Sequence, residues 1–248
     1  MKLLASDFDN TLWFYDNMKD KDVKAIHTFQ KKGNLFGLCT GRSLKGVIEP
    51  SKPYHITYDF YILLSGAQIL NRNKDIIFEK TIPLQIVKDV YELLNHQEIS
   101  IVYNNEIYKL YQHRIDTRGI YIHSLEEIPA TDINSFSFHY EDNEIPLVTQ
   151  AALSINQKFG QYITAFQNNQ HIDIVAKGCS KGEGIKIIQD FFHLEDHQMY
   201  AIGDSWNDLP MLSRIQNSFT FTYAPKDVQK QSKYIVHTLS QAIDMIKE

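Results

Sequence analysis

The chain has 248 residues, 43% of them hydrophobic and 22% charged, a composition typical of a globular protein with one large domain or two modest ones. Its formal net charge of -5 disfavours nucleic acid or an anionic membrane as partners, and no apolar run approaches the roughly 20 residues of a membrane helix. The N-terminus lacks a signal-peptide pattern and the two cysteines, Cys39 and Cys179, are isolated, which favours a cytoplasmic protein with reduced thiols.

Apolar stretches and amphipathic helical segments alternate at both ends of the chain. Residues 2–6, 34–39 and 198–202 are short apolar runs that end in polar turns, and they predict β-strands. Helical spacing follows the first run and precedes the third, at Val23, Ala25, Ile26 and Phe29 and at Ile185, Ile188 and Phe192. Further strands are predicted at 218–222 and 234–236, and helices near 226–231 and 240–246. This alternation indicates a Rossmann-like α/β core with a parallel sheet.

The middle of the chain has a different pattern, with strands in adjacent pairs. Residues 99–103 and 107–110 flank Asn104-Asn105, and residues 162–166 and 172–175 flank Asn168-Asn169; asparagine is favoured in hairpin turns. A helical apolar stripe precedes the second pair, and Phe136, Phe138 and Tyr140 alternate like the buried face of a strand. We therefore expect an α+β domain at 82–176, inserted into a core made of 1–81 and 177–248.

Acidic residues follow the first and third predicted strands. Asp7 and Asp9 follow residues 2–6, and Asp204 and Asp208 follow residues 198–202. Ligands of open parallel sheets bind beyond the carboxyl ends of the strands, so these acids are expected to meet at one edge. Oxygen ligands in that number suit a hard cation, which predicts a Mg²⁺ site.

Two further groups at this edge suit a phosphoryl group. Thr40, in Thr40-Gly41-Arg42, can donate a hydroxyl hydrogen bond, and Lys181 supplies a point charge. Asp7 can then attack phosphorus to give an aspartyl-phosphate. Asp9 can protonate the leaving oxygen and later activate water.

The chain resembles the haloacid dehalogenase-like phosphatases in four motifs. These are Asp7-Phe8-Asp9-Asn10-Thr11-Leu12, Thr40-Gly41-Arg42, Lys181-Gly182 and the run from Gly203 to Leu212. Their order and spacing are similar to those of the Cof-type subgroup, which carries an inserted α+β cap of type C2. Asn10 stands where that subgroup commonly has glycine, and Ser65 where it often has asparagine.

The resemblance implies a role for each motif residue. Asp7 would be the nucleophile and Asp9 the general acid and base. Mg²⁺ would be held by the Asp7 carboxylate, the Asp9 backbone carbonyl and Asp204, with Asp208 supporting the metal. The phosphoryl group would be bound by Thr40, Gly41, Arg42, Lys181 and Asn207. The implied activity is a phosphatase for small phosphorylated metabolites, such as sugar phosphates or phosphorylated cofactors.

Several alternatives stay open at this stage. The same scaffold can serve a phosphotransferase or phosphomutase, or a module that binds a phosphorylated metabolite without turnover. Arg42 is a substrate ligand or one half of a surface ion pair. For cap side chains a solvated or internally paired state is favoured over substrate contact; the candidates are His113, Arg114, Arg118, His123 and His139. The pattern predicts neither the physiological substrate nor the choice between a monomer and a homodimer.

Overall fold

The structure, a computed structural model, describes residues 1–95, 98–111, 119–141 and 144–246, and the chain divides into two compact units. One unit comprises Met1–Phe78 and Ser180–Glu248, and the other comprises Glu79–Cys179. The second unit is therefore inserted into the sequence of the first. Among the helices of the described ranges, none combines the length and apolar character that a bilayer crossing requires.

Strands and helices cover most of the described chain. The strands are β1 (Leu3–Ser6), β2 (Leu35–Cys39), β3 (Phe60–Leu63), β4 (Gln68–Asn71), β5 (Ile76–Glu79), β6 (Ile82–Pro83), β7 (Ile99–Tyr103), β8 (Glu106–Leu110), β9 (Ile120–Tyr121), β10 (Asp132–Ile133), β11 (Ser135–His139), β12 (Ile163–Asn168), β13 (His171–Ala176), β14 (Met199–Ile202), β15 (Asn217–Phe221) and β16 (Tyr234–Val236). The α-helices are α1 (Asp20–Lys31), α2 (Leu44–Ser51), α3 (Leu84–Leu93), α4 (Ile145–Phe159), α5 (Lys181–Phe191), α6 (Leu209–Leu212), α7 (Lys226–Gln231) and α8 (Leu239–Met245).

The first unit is built on one sheet with the order β16-β15-β14-β1-β2-β3-β4-β5. From β16 to β3 neighbouring strands run parallel, and β4 turns back antiparallel to β3. The central strand β1 is buried along its whole length because it has strands on both sides and helices over its faces. Strand β14 ends level with β1 and strand β2 ends one residue further on, so the loops after all three start side by side.

The second unit has its own sheet, with the order β12-β13-β11-β7-β8-β9. The pairs from β12 to β8 are antiparallel, and α4 packs against β12 and β13 through its apolar face. Phe136 and Phe138 are completely or almost completely buried in this unit, and Tyr140 is 8% exposed. The alternating aromatic residues therefore belong to a core, as their spacing predicts.

The fold class predicted from the pattern is confirmed, with small shifts at the ends of the elements. The second hairpin turns at Asn169-Gln170, one residue later than predicted, because β12 continues to Asn168. The predicted elements did not include strands β3 to β6, β9 and β10 or helices α2, α3 and α6. His113, Arg114 and Arg118 lie outside the described residues, His123 is exposed, and His139 pairs with His171 at an Nδ1–Nδ1 distance of 2.9 Å.

Gly66 links the turn after β3 to the start of α5, and its replacement tests this packing. Its φ is +94°, and a Cβ there would lie 2.2 Å from the carbonyl oxygen of Ser180. Gly33, at φ +79° with no atom within 4 Å of such a Cβ, is the matched control. Both alanine variants carry about 1 to 2 kcal/mol of backbone strain. We expect Gly66→Ala to lose about 1 to 3 kcal/mol more unfolding free energy in urea than Gly33→Ala, because only Gly66 is overpacked. Equal losses would contradict this contact.

Candidate active site

Polar residues follow three neighbouring parallel strands, at the carboxyl edge of the first sheet. Asp7 follows β1, Thr40 follows β2, and Asp204 lies two residues after the end of β14. Hydrogen bonds from Asp7 N to Ile202 O and from Thr40 N to Ile62 O, both 2.9 Å, extend the ladders beyond the strand ends. These side chains are thereby brought to one edge by strand pairing rather than by the loops alone.

Lys181 lies at the centre of the site, at the first residue of α5. The helix begins there because the Ser180 hydroxyl accepts a hydrogen bond from Glu183 N at 3.1 Å, an N-cap. The Lys181 side chain is fully buried, and its Nζ donates to Asp7 Oδ1 and Asp208 Oδ1, each at 2.6 Å. The ammonium therefore joins two carboxylates from opposite ends of the chain.

Asp208 uses both carboxylate oxygens within the protein. Oδ1 accepts from Lys181, and Oδ2 accepts from the backbone N–H groups of Asp204 at 2.9 Å and Ser205 at 3.0 Å. Gly203 leaves room for this arrangement, because a Cβ there would lie 2.4 Å from Asp208 Cγ. Asp208 thus holds the loop that carries Asp204 and fixes the ammonium of Lys181.

Asp204 and Asp7 each use only one carboxylate oxygen in hydrogen bonds within the described protein. Asp204 Oδ1 accepts a hydrogen bond from the Thr11 hydroxyl at 3.1 Å, and Asp7 Oδ1 accepts from Lys181. Within the described residues, the second oxygen of each carboxylate receives no hydrogen bond from the protein. Asp7 and Asp204 therefore retain the oxygens that a cation or a reacting group needs.

Burial and mutual repulsion shape the protonation of these acids. Burial, together with the neighbouring charges of Asp208, Asp204 and Asp9, raises the pKa of Asp7 well above its ordinary value, although Lys181 opposes the shift. Burial and the charge of Asp208 raise the pKa of Asp204 to about 7. Burial disfavours the charged form of Lys181, but Asp208 and Asp7 outweigh it and raise the pKa of the lysine. The site holds more negative charge than its ammonium balances.

The donor set fits a divalent cation. Asp7, Asp204 and Asp208 each offer an oxygen, and these oxygens lie within 4.8 Å of one another, with all three residues buried. Hard oxygen donors and an excess of buried negative charge are what Mg²⁺ requires of a protein site. Because Asp208 is committed to Lys181 and to two backbone N–H groups, Asp7 and Asp204 are the better placed direct ligands.

Asp9 and Arg42 form a separate pair beside the buried cluster. Arg42 Nε donates to Asp9 Oδ2 at 2.8 Å and Nη2 to Asp9 Oδ1 at 2.6 Å. The side chain of Asp9 is 47% exposed and that of Arg42 is 28% exposed. Asp9 is nevertheless close enough to raise the pKa values of Asp7 and Asp204 by its charge. Of the two readings of Arg42 left open by the sequence, the structure shows the ion pair.

The remaining predicted residues lie around this centre. Thr40 is buried, and its Oγ1 accepts a hydrogen bond from Arg42 N at 3.1 Å, which leaves its hydroxyl hydrogen to donate elsewhere. Gly41 lies in the turn between them, and Asn207 is buried in the turn that follows Asp204.

Two residues of the site had no role assigned from the sequence. Thr11 donates to Asp204, and the Tyr223 hydroxyl donates to the carbonyl of Asn10. Tyr223 also feels the charges of Asp204 and Asp7, which add to burial in raising the pKa of its phenol. Its place just after β15, at the same carboxyl edge, is the signal that would have identified it.

Comparison with known proteins gives one family and a consistent set of relatives. The description of that family is haloacid dehalogenase-like hydrolase, and it matches residues 4–242. An Escherichia coli protein named 5-amino-6-(5-phospho-D-ribitylamino)uracil phosphatase YbjI is 24% identical, over 94% of this chain and 90% of that protein. A Bacillus subtilis protein named 5-amino-6-(5-phospho-D-ribitylamino)uracil phosphatase YitU is 24% identical, over 85% of this chain and 82% of that protein.

The fold is also found among solved structures. A haloacid dehalogenase-like hydrolase from Bacillus subtilis superposes with a TM-score of 0.87 over 100% of both chains, at 18% identity. The likeness therefore extends over both units of the chain.

Replacing Lys181 tests whether its ammonium holds the buried acids together. In Lys181→Met, Asp7 and Asp208 lose their shared cation while staying buried. We expect the unfolding free energy in a chelating buffer at pH 7 to fall by about 3 to 5 kcal/mol, the usual cost of an uncompensated buried charge. The matched control is Lys186→Met, an exposed position on the same helix, for which we expect little change. Similar losses in both variants would contradict the central role of Lys181.

The raised pKa of Asp204 predicts a specific pH dependence of stability. Its folded pKa of about 7 lies above the ordinary value of 3.8, so the proton stays bound in the folded state over that interval. The group's stabilising contribution is complete below about pH 4 and is lost as the pH rises through about 7. With chelator present, Asp204→Asn should therefore gain stability relative to the wild type from pH 4 to pH 7. Urea unfolding at several pH values measures it, and a pH-independent difference would refute the assignment.

Proposed function

The chain belongs to the haloacid dehalogenase-like hydrolase family, and we propose that it is a magnesium-dependent phosphatase for small phosphorylated metabolites. The observation that carries the proposal is the buried set Asp7, Lys181, Asp204 and Asp208, in which three carboxylates cluster and one ammonium contacts two of them. Such a set is costly as a structural device, because burial penalises each charge. It is suited to a cation and a phosphoryl group, which bring the charges that balance it.

In the proposed reaction an oxygen of Asp7 attacks phosphorus in line with the leaving oxygen. The bond from phosphorus to that oxygen breaks as a new one forms to Asp7, and Asp9 in its protonated form gives the leaving oxygen its proton. Water then attacks the aspartyl-phosphate, Asp9 takes up one of its protons, and the bond to Asp7 breaks. Phosphate leaves, Asp7 is restored, and Asp9 is again protonated.

The other residues supply position and charge. Lys181 holds one oxygen of Asp7, so that the attacking group has a fixed place, and its charge offsets that of the phosphoryl group. The free hydroxyl hydrogen of Thr40 is available to a phosphoryl oxygen. Asp7 and Asp204 would hold Mg²⁺ with support from Asp208, and the ion would add Lewis-acid stabilisation of the charge on phosphorus.

For the substrate we propose a small organic phosphate monoester, of the class of sugar phosphates or phosphorylated cofactor precursors. The names of two relatives support this class, since both are phosphatases of a phosphorylated ribitylamino-uracil. The first unit carries the residues for the phosphoryl group, so recognition of the remainder is assigned to the inserted unit, predicted as residues 82–176. Specificity of this kind depends on side chains outside the reacting set.

The proposed function is tested by phosphate release from a panel of phosphorylated metabolites and a generic aryl phosphate. We expect release with Mg²⁺ and none with chelator. Asp7→Asn should lower kcat by about 10³-fold or more, because the amide cannot form the acyl phosphate. The variant is nearly isosteric, so its urea unfolding curve establishes that it is folded.

The control variant is Asp75→Asn, an exposed aspartate in the turn between β4 and β5, which should keep wild-type activity. Full activity in folded Asp7→Asn would refute the nucleophile. A folded wild type that needs an acceptor sugar would indicate a phosphotransferase, and one that binds phosphorylated ligands without turnover would indicate a binding module.

A further inference from the structure

Each nitrogen of the Arg42 guanidinium donates one hydrogen bond to the protein. Nε and Nη2 donate to the two oxygens of Asp9, and Nη1 donates to the carbonyl of Gly46 at 2.9 Å. The guanidinium carbon also lies 4.9 Å from the centre of the Phe8 ring. A planar guanidinium that is held by Asp9 and by the Gly46 carbonyl, and that stacks on the Phe8 ring, has little freedom to turn towards another anion.

The surroundings of the pair are themselves rigid. Phe8 is completely buried, and Trp13 stacks on it with a centroid distance of 5.8 Å and an interplanar angle of 9°. The backbone N–H of Arg42 donates to Thr40, and its carbonyl accepts from Leu64 N at 3.1 Å. Arg42 is thus held in the first unit by both its backbone and its side chain, whereas the Asp9 side chain, 47% exposed, has Arg42 as its fixed support.

We infer that Arg42 is a positioning residue that acts through Asp9 and does not bind the phosphoryl group of the substrate directly. The inference rests on the proposed function and deepens it. In the reaction Asp9 is anionic between giving its proton to the leaving oxygen and taking one from water. The bidentate fork of Arg42 matches that anion, holds its two oxygens in one orientation and keeps it beside Asp7 for the second step.

A double-mutant cycle separates action through Asp9 from direct binding of phosphate. The variants are Arg42→Met, Asp9→Asn and the double variant, assayed with Mg²⁺ on the best substrate of the panel. Misplacement of a reacting group costs up to about 10²-fold, so Arg42→Met should lower kcat by about 10- to 100-fold while KM changes by less than about threefold. In the Asp9→Asn background the same change should have almost no further effect, since the carboxylate that it positions is already absent.

Two further variants make the cycle specific. Arg42→Lys keeps the charge but loses the fork, and it should restore only part of kcat. Arg72→Met removes an arginine that pairs with Asp59 at 3.6 Å, at the opposite edge of the sheet, and should leave kcat and KM unchanged. Inorganic phosphate, titrated by calorimetry in the presence of Mg²⁺, should bind Arg42→Met and the wild type with affinities within about threefold of each other.

Each outcome decides the matter. If Arg42→Met weakens phosphate binding and raises KM by the same factor in both backgrounds, Arg42 is a substrate ligand and the inference is overturned. Full restoration by lysine would overturn it as well, because charge alone would then suffice. If the folded wild type releases no phosphate from any substrate, both the proposed function and the inference fail. If the wild type is active but the effects of Arg42→Met and Asp9→Asn on kcat are additive, only the inference fails.

Discussion

The buried ammonium of Lys181 is the interaction on which the rest of the site depends. It lies between Asp7 and Asp208 at 2.6 Å from each, with no exposed surface. Desolvation of three charged groups is unfavourable, and hydrogen bonds of good geometry have to compensate it. That requirement explains why so much of the surrounding backbone is fixed: the cap of α5 at Ser180, the N–H groups of Asp204 and Ser205 on Asp208, and the space left by Gly203.

The site contains two aspartates that differ in burial and in how their side chains are held. Asp7 is held by strand pairing and by Lys181, which suits its proposed role as a nucleophile with a constant line of attack. Asp9 lies only two residues further on, yet its side chain is half-exposed and is held by an arginine fork. A group that gives and takes protons in successive steps needs access to both the leaving oxygen and water. The geometry therefore separates a rigid carboxylate, the proposed nucleophile, from an accessible one, the proposed proton carrier.

Much of this arrangement follows from local sequence rules. Apolar runs that end in acids or hydroxyls predict both the parallel sheet and the edge at which its polar residues gather, because strand direction determines where the loops emerge. The hydrogen-bond partners do not follow in the same way. Arg42 and Asp9 are 33 residues apart, and Thr11 and Asp204 are 193 apart, so only folding shows that they pair. Likewise, β4 and β5 have only four residues each and border a turn rich in polar residues, so their apolar pattern is too short to predict a strand.

In the sheet of the inserted unit, buried apolar residues alternate with polar residues of several types. In β11 and β13 the buried residues Phe136, Phe138, Ile172 and Ile174 alternate with Ser137, His139, His171 and Asp173, which are partly exposed. The apolar set specifies the strands and leaves the polar set free to vary without loss of the fold. His139 and His171 lie opposite each other and share a hydrogen bond between their Nδ1 atoms, so one ring donates and the other accepts. Under the proposed function, a core with fixed chemistry and an insertion whose polar face can change independently would direct one reaction to different phosphate esters.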